Sequence, residues 1–253
     1  MYNICLYFFI FYFYSILGWL LECVVCSIES KKIIHDRGFL IGPYCPIYGC
    51  GAIYMYFFLN RYYNDPIVLF VMAVVGTSII EYVTSYLMEK IFKARWWDYS
   101  HIKFNLEGRI CLTNSILFGI LGILFIYLLN PTFLFIIDKI PNIALIIISI
   151  ILFISFIVDV IITFSIMVTL KKNLFNIKKD STSDIDKQVK EILSKNTFYL
   201  QKLFKAFPKV KFSLPTGEQI LSSIHSGLDN IDELRKERKK KIKELRKELK
   251  KRN

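Results

Sequence analysis

The chain has 253 residues, of which 54% are hydrophobic and 16% aromatic, yet it carries 33 Lys and Arg residues and a net charge of +12. This combination excludes an ordinary soluble domain, in which apolar and charged residues mix along the sequence. Residues 1–170 hold 10 basic and 10 acidic side chains, whereas residues 171–253 hold 23 basic and 11 acidic ones. The sequence therefore predicts a transmembrane domain at 1–170 and a basic tail at 171–253.

Five stretches of the first 170 residues are long enough to cross a hydrocarbon core, for which a helix needs about 20 mostly apolar residues. They lie at residues 4–26, 43–60, 67–88, 110–129 and 143–170. The first has no Lys or Arg before it and no small-residue cleavage site, which favours a retained helix over a signal peptide. The second starts among Gly42, Pro43 and Pro46, so a re-entrant segment remains an alternative. The predicted fold class is an all-α integral membrane protein of about five transmembrane helices, followed by a helical cytoplasmic tail.

Basic residues alternate between the segments that connect these stretches. Lys31, Lys32 and Arg37 follow the first stretch, and Arg61 alone follows the second. The third is followed by five basic residues between 90 and 109, and the fourth by Lys139 alone. The positive-inside rule then predicts an N-terminus outside the cell and a tail in the cytoplasm.

The sequence also contains an internal similarity. Residues 38–60 align without a gap on residues 108–130, so that Gly38 matches Gly108 and Gly49 matches Gly119. Similar segments in the same orientation predict a parallel repeat of two helix-loop-helix units, to which a fifth helix is added. Chance similarity between apolar helices is the alternative.

Carboxyl groups occur where the surrounding sequence predicts lipid. At 1.5 Å per residue, Glu81 lies roughly 13 Å from Lys90 and Asp159 roughly 18 Å from Lys171, near the middle of a core about 30 Å thick. Glu22 and Glu89 lie closer to the ends of their helices. Because charges are costly in lipid, we expect these four residues to line an intramembrane polar path; interhelical hydrogen bonding is the alternative.

Both connecting segments predicted to be cytoplasmic are rich in Gly, Pro, Arg and Trp. Their characteristic residues are Arg37, Gly38, Gly42, Pro43, Pro46, Tyr48 and Gly49 in the first, and Arg95, Trp96, Trp97, Asp98, Tyr99, Asn105, Gly108 and Arg109 in the second. With Glu22, Glu81 and Glu89, this pattern resembles the putative ABC-transporter type IV permease family over residues 10–130. The resemblance implies a protein of the bacterial cytoplasmic (inner) membrane that forms the membrane part of a transporter.

The expected function is therefore that of a permease or an accessory membrane subunit of a transporter with an unknown substrate. No G-x-x-x-x-G-K-[ST] phosphate loop occurs in the sequence, so an ATPase would be a separate chain. A homodimer is expected because five helices are few for a translocation pathway.

Two other functions remain open. One is a membrane enzyme acting on a lipid or isoprenoid phosphate, with Arg37, Arg95 and Arg109 binding phosphate and Asp98 or Glu22 as acid or base. The other is a non-catalytic scaffold or regulator. No H-E-x-x-H or G-x-S-x-G motif occurs, and we assign no catalytic residue, metal or cofactor.

Helical periodicity predicts two helices in the tail, one at 183–207 that ends before Pro208 and another after Thr216. The second has a broken heptad pattern because Arg235 and Arg238 occupy seam positions. A short coiled coil, a helix lying on anionic lipid headgroups and a plain charged helix are the alternatives. Beside a membrane domain, the positive charge favours lipid headgroups over nucleic acid, which we do not expect as a partner.

Overall fold

The computed structural model describes residues 2–31, 33–175, 189, 197–213 and 217–252. Within these ranges, four helices are long and apolar enough to cross a membrane. They are Tyr2–Ile28, Pro66–Phe92, Leu112–Ile137 and Asn142–Phe175. The predicted all-α membrane fold is confirmed, and the described residues contain four apolar helices of spanning length and one shorter apolar helical segment.

The elements follow one another in a simple order. The helices are α1 (Tyr2–Ser30), α2 (Pro46–Tyr54), α3 (Pro66–Phe92), α4 (Leu112–Leu124), α5 (Asn130–Ile137), α6 (Asn142–Phe175), α7 (Thr197–Ala206) and α8 (Gly217–Arg252). The two-residue strands are β1 (Ala94–Arg95), β2 (Asn105–Leu106), β3 (Ile110–Cys111) and β4 (Lys211–Phe212). Strand β1 pairs antiparallel with β4, and β2 with β3.

The shorter segment is the second predicted span. Residues 33–45, which we call the first loop, are not helical, and α2 begins at Pro46, where a proline is compatible with the first helical turn. The helix continues through a π-helical turn, Met55–Leu59, and a 3-10 turn, Asn60–Tyr62. Residues 46–62 are therefore about 25 Å long, less than the ~30 Å of a hydrocarbon core.

The fourth predicted span has a matching irregularity. Helix α4 passes through a π-helical turn, Phe125–Leu129, into α5 and continues beyond its predicted end to Ile137. Pro131 lies just after the π-helical turn, where the regular hydrogen-bond pattern of the α-helix is already interrupted, so the amide hydrogen that proline lacks costs little. In the alignment of residues 38–60 with 108–130, the two π-helical turns occupy the same positions, and Gly38 and Gly108 both have positive φ. These shared features support the predicted repeat.

The helices associate mainly as two pairs, α1 with α2 and α3 with α4, with α6 packed against α1. Small residues allow the close approach. A Cβ added to Gly119 or Gly122 of α4 would lie 2.6 Å from Phe70 or 2.5 Å from Ala73 of α3. Close packing through small residues is typical of membrane helices, which have no hydrophobic drive to associate within lipid.

The outer surface of the bundle is apolar. On α6 the exposed side chains include Ile143, Ile147, Ile150, Ile151, Ile154, Ile161 and Phe164. Asp159, Thr163 and Ser149 of the same helix are buried. This distribution is the one expected of a helix that faces lipid on one side and protein on the other.

The described part of the tail packs against the end of the bundle where α1 and α3 end. A continuous hydrophobic cluster combines Phe92, Ala94, Trp96, Met167, Leu170 and Leu174 with Tyr199, Leu200, Leu203, Phe204, Val210, Ile220, Ile224 and Leu228. Strand β4 pairs with β1 beside it. Most of the helix predicted at 183–207 lies outside the described residues, whereas α8 begins directly after Thr216 as predicted.

Candidate functional site

The first loop enters the interior of the bundle. The Cys45 amide donates to the Ser15 carbonyl, 2.8 Å away, and Ser15 lies midway along α1. The Trp19 indole donates to the Arg37 carbonyl at 3.1 Å, closer to the end of α1. The loop therefore runs back along α1 to the middle of the bundle, where α2 starts. Irregular backbone at this depth requires polar partners from the protein, because lipid provides none.

Asp159 of α6 supplies partners for the amides of the first loop. Its carboxylate accepts hydrogen bonds from the Ile41 amide at 3.1 Å and the Gly42 amide at 2.7 Å. It also accepts from the Tyr44 hydroxyl and, at 2.9 Å, from the Thr163 hydroxyl. Four donors thus satisfy a buried carboxylate, which is the condition for keeping such a group inside a protein.

Helix α7 supplies partners for the carbonyls of the same loop. The Lys202 ammonium donates to the carbonyls of Leu40, Ile41 and Gly42 at 2.7, 2.7 and 3.2 Å. The Tyr199 hydroxyl donates to the Phe39 carbonyl at 2.8 Å. Burial lowers the pKa of Lys202, and the nearby Asp159 carboxylate opposes that change. The predicted tail therefore contributes directly to the structure of the first loop inside the bundle.

Glu22 and Arg37 link α1, α2 and the tail. Arg37 donates to Glu22 at 3.1 Å and also to the Ala206 carbonyl at the end of α7. The Tyr48 hydroxyl of α2 donates to the other oxygen of Glu22 at 2.7 Å. Both oxygens of Glu22 thus have partners, and the Arg37 guanidinium is shared between Glu22 and the Ala206 carbonyl.

Glu89 organises the second loop, residues 93–111. Its carboxylate contacts Arg95 at 3.1 Å and Arg109 at 2.8 Å. Arg95 also lies 3.8 Å from Asp98, and Arg109 lies 3.5 Å from Glu107. The two guanidinium groups are therefore neutralised by carboxylates of this chain.

The remaining motif residues shape the second loop. The Asn105 side chain donates to the Ile102 carbonyl at 2.7 Å and accepts from the Gly108 amide at 2.9 Å. Gly108 has a φ of +68°, which glycine adopts without strain. The Trp97 indole donates to the Arg109 carbonyl at 3.1 Å, and Trp96 is buried against Phe39 and Phe207. Both tryptophans thus make their contacts with other parts of the protein.

Asp98 connects the second loop to the tail through Lys211 of β4. Burial disfavours its charge, but hydrogen bonds from Lys211 and Ser100 outweigh burial and lower the pKa of Asp98 to about 2. Tyr99 points the other way, and its hydroxyl donates to Glu81 at 3.2 Å. Burial and the Glu81 carboxylate raise the pKa of Tyr99, so its hydroxyl remains a donor.

Glu81 lies beside a cavity between the first four helices. The cavity has a volume of about 120 Å³. It is lined by Tyr14, Leu17, Gly18, Leu21, Ile47, Tyr48, Gly51, Ala52, Met55, Thr77, Ile80, Glu81, Phe118, Leu121, Phe125 and Leu129. Tyr99 binds one oxygen of Glu81, whereas the other oxygen has no partner among the described residues, although Glu81 is only 5% exposed.

The four predicted intramembrane carboxyl groups therefore occupy different surroundings. Glu81 faces the cavity, Asp159 holds the first loop, and Glu22 and Glu89 form ion pairs near the ends of their helices. Sequence reasoning missed Lys202 and Tyr14. Lys202 could have been found, because it lies three residues from Tyr199 on a helix whose apolar residues are buried.

Comparison with known proteins identifies the family of the chain. No curated protein and no solved structure matches it. The model of one family, described as "Putative ABC-transporter type IV", matches residues 9–164. This range covers more than half of the chain and includes both loops, Glu81 and Asp159. The chain is therefore a member of the putative ABC-transporter type IV family, a membrane protein related to ABC transporters.

Proposed function

We propose that the protein is the permease or an accessory membrane subunit of a transporter, and that its substrate occupies the cavity beside Glu81. The observation that carries this proposal is the cavity lined by Glu81, whose buried carboxylate has one oxygen without a partner among the described residues. A buried acceptor without a partner costs about 1–3 kcal/mol, so its retention favours a role in binding.

The first loop and α2 provide further support. A helix that begins in the middle of the bundle, after an irregular segment held by Asp159 and Lys202, resembles the discontinuous helices around which transporters build their binding sites. The cavity adjoins this region because Ile47, Tyr48 and Gly51 of α2 line it. Movement of the first loop would therefore change the shape of the cavity.

The energy source in this proposal is a separate ATPase chain. The N-terminus lies outside the cell, and both loops and the tail lie in the cytoplasm of a bacterium. The ATPase docks on the surface formed by the second loop and the tail, which β1 and β4 join. The basic residues of α8 contact anionic lipid headgroups, and a homodimer completes the pathway.

The contacts of the arginines favour transport over a phosphate-binding enzyme. Arg37, Arg95 and Arg109 each contact a carboxylate of this chain. A phosphate would have to displace those carboxylates at a cost in charge pairing. A pure scaffold would not need a buried carboxylate beside a cavity with one oxygen that has no partner among the described residues.

Purification of the full chain from native membranes tests the proposal. We expect a nucleotide-binding protein to co-elute and the complex to hydrolyse ATP in nanodiscs of native lipid. Glu81→Gln should keep its membrane abundance and its partner. The increase in ATP hydrolysis that native lipid extract causes should be roughly tenfold smaller in this variant than in the wild type. Val83→Ala, on the exposed face of the same helix, is the matched control. Absence of an ATPase partner, or full activity of Glu81→Gln, would overturn the proposal.

A further inference from the structure

The cavity beside Glu81 has almost entirely apolar walls. Side chains of Leu17, Leu21, Met55, Phe118 and Leu121 contribute to them. Walls of this kind hold ordered water poorly, because a water molecule needs about two to four polar partners. The natural occupant of the cavity is a hydrocarbon chain.

Gly51 shows that this space is built into the helix packing. Gly51 is buried, yet a Cβ added to it would meet no heavy atom within 4 Å. On the preceding half-turn, a Cβ added to Gly49 would lie 2.3 Å from the Ser15 hydroxyl. The same helix is therefore tightly packed at one glycine and open at the next, and the open side faces the cavity.

The cavity also reaches the surface that faces lipid. Leu21 of α1 belongs to its wall and is 39% exposed. This exposed leucine marks the outer face of α1 as the side from which an acyl or prenyl chain would enter, away from the polar loops. A ligand that enters past Leu21 places its apolar end among the leucines of the cavity. Its polar end then needs a hydrogen-bond partner from the protein.

Two residues that line the cavity each have a buried polar atom without a partner within the described part of the chain: the second carboxylate oxygen of Glu81 and the Tyr14 hydroxyl. Both residues are at least nine-tenths buried. No Lys or Arg is among the residues that line the described cavity. A carboxylate without a basic neighbour attracts a hydrogen-bond donor and disfavours an anionic headgroup.

We propose that the cavity binds an amphiphile whose apolar chain fills the space at Gly51 and whose headgroup, an ammonium or a hydroxyl, donates to Glu81. This assigns a substrate class to the proposed permease and rests on that proposal for its role in transport. The assignment predicts that anionic lipids and the bulk phospholipid of the membrane bind less well than such an amphiphile.

Photolabelling of the full-length protein in phosphatidylcholine nanodiscs tests the assignment. The probes are a twelve-carbon alkylamine and the matching carboxylate, each with a diazirine in the chain, and labelled residues are located by mass spectrometry. We expect the amine to label the cavity residues several-fold more than the carboxylate. Glu81→Gln should remove this preference, because its side chain has no charge to attract the ammonium.

Filling the cavity provides the second arm. Gly51→Leu and Gly51→Met should fold, because the added side chain meets open space and glycine is a poor helix former, and they should abolish labelling of the cavity. Cys50→Leu, on the exposed neighbouring residue, should label as the wild type does. The thermal midpoint of each variant verifies folding.

Equal labelling by the amine and the carboxylate would mean that the site admits any chain from the bilayer, and it would overturn the inference. Unchanged labelling in folded Gly51→Leu would also overturn it. Binding is measured without ATP or a partner protein. A missing ATPase therefore contradicts only the transport proposal, and a missing headgroup preference contradicts only the ligand assignment.

Discussion

Asp159 and Lys202 bind the same turn of the first loop through opposite ends of its peptide groups. Asp159 accepts from the amides of residues 41 and 42, and Lys202 donates to the carbonyls of residues 40, 41 and 42. One residue belongs to a membrane helix and the other to the tail. The geometry of the first loop therefore depends on docking of the tail.

Lys202→Met tests this dependence. The substitution keeps an apolar side chain of similar length but leaves three carbonyls without their ammonium donor, at a cost of about 1–3 kcal/mol. Hydrogen exchange of residues 39–42 should accelerate roughly tenfold or more. Lys205→Met is the control, because Lys205 forms an exposed ion pair with Asp232 and such pairs contribute little. Equal exchange in the two variants would contradict the role of Lys202.

Asp159→Asn should destabilise the protein more than removal of a single donor does. Each oxygen of Asp159 accepts two hydrogen bonds, and an amide nitrogen would face two donors where one oxygen stood. We expect a loss of about 3 kcal/mol, compared with about 1 kcal/mol for Thr163→Val. Thermal unfolding of both variants in the same detergent measures the difference, and similar midpoints would argue against it.

The Asp98–Lys211 contact predicts a dependence on pH. Folding lowers the pKa of Asp98 from an ordinary value near 4 to about 2, so the stabilisation is complete above pH ~4 and is lost as the pH falls through about 2. Asp98→Asn should unfold at a lower temperature than the wild type near neutral pH. The difference between their midpoints should shrink below about pH 4; a difference that is constant down to pH 2 would exclude the contact as its source.

The two glycines of α2 should respond in opposite ways to alanine. Gly49→Ala would place a Cβ 2.5 Å from the Phe11 carbonyl oxygen, a backbone atom that cannot move aside easily. We expect a large loss of monodisperse protein in size-exclusion chromatography. Gly51→Ala meets open space and should be neutral or stabilise by about 0.5–1 kcal/mol. Comparable yields of the two variants would contradict the packing of α1 against α2.

Much of the architecture could be predicted because it follows from local properties. The apolar length of each stretch predicts a membrane helix independently of the segments that pack against it. Pro46 predicts the irregular start of α2, because its ring fixes φ and removes the amide hydrogen. The intramembrane position of Glu81 and Asp159 follows from counting residues along a helix.

The alignment of residues 38–60 with 108–130 likewise required only the sequence. The matching π-helical turns at 55–59 and 125–129 add support that no hydropathy pattern contains, since a π-helical turn leaves the composition of a segment unchanged. The extension of the fourth span through Pro131 was not predicted, because the π-helical turn that precedes this proline leaves no mark in the hydropathy pattern.

Tertiary structure alone decided which polar groups meet. Asp159 and Gly42 are 117 residues apart in the chain, and Lys202 and Gly42 are 160 apart, so no periodicity relates them. The pairing depends on how α6 and α7 pack around the first loop. Similarly, Glu81 and Glu22 are both acidic residues on apolar helices. Only packing leaves Glu81 beside the cavity at Gly51 and pairs Glu22 with Arg37. The sequence determined which apolar stretches carry a charged residue. Packing determined which carboxylate keeps an oxygen without a partner among the described residues, because burial and pairing are properties of surfaces brought together from distant parts of the chain.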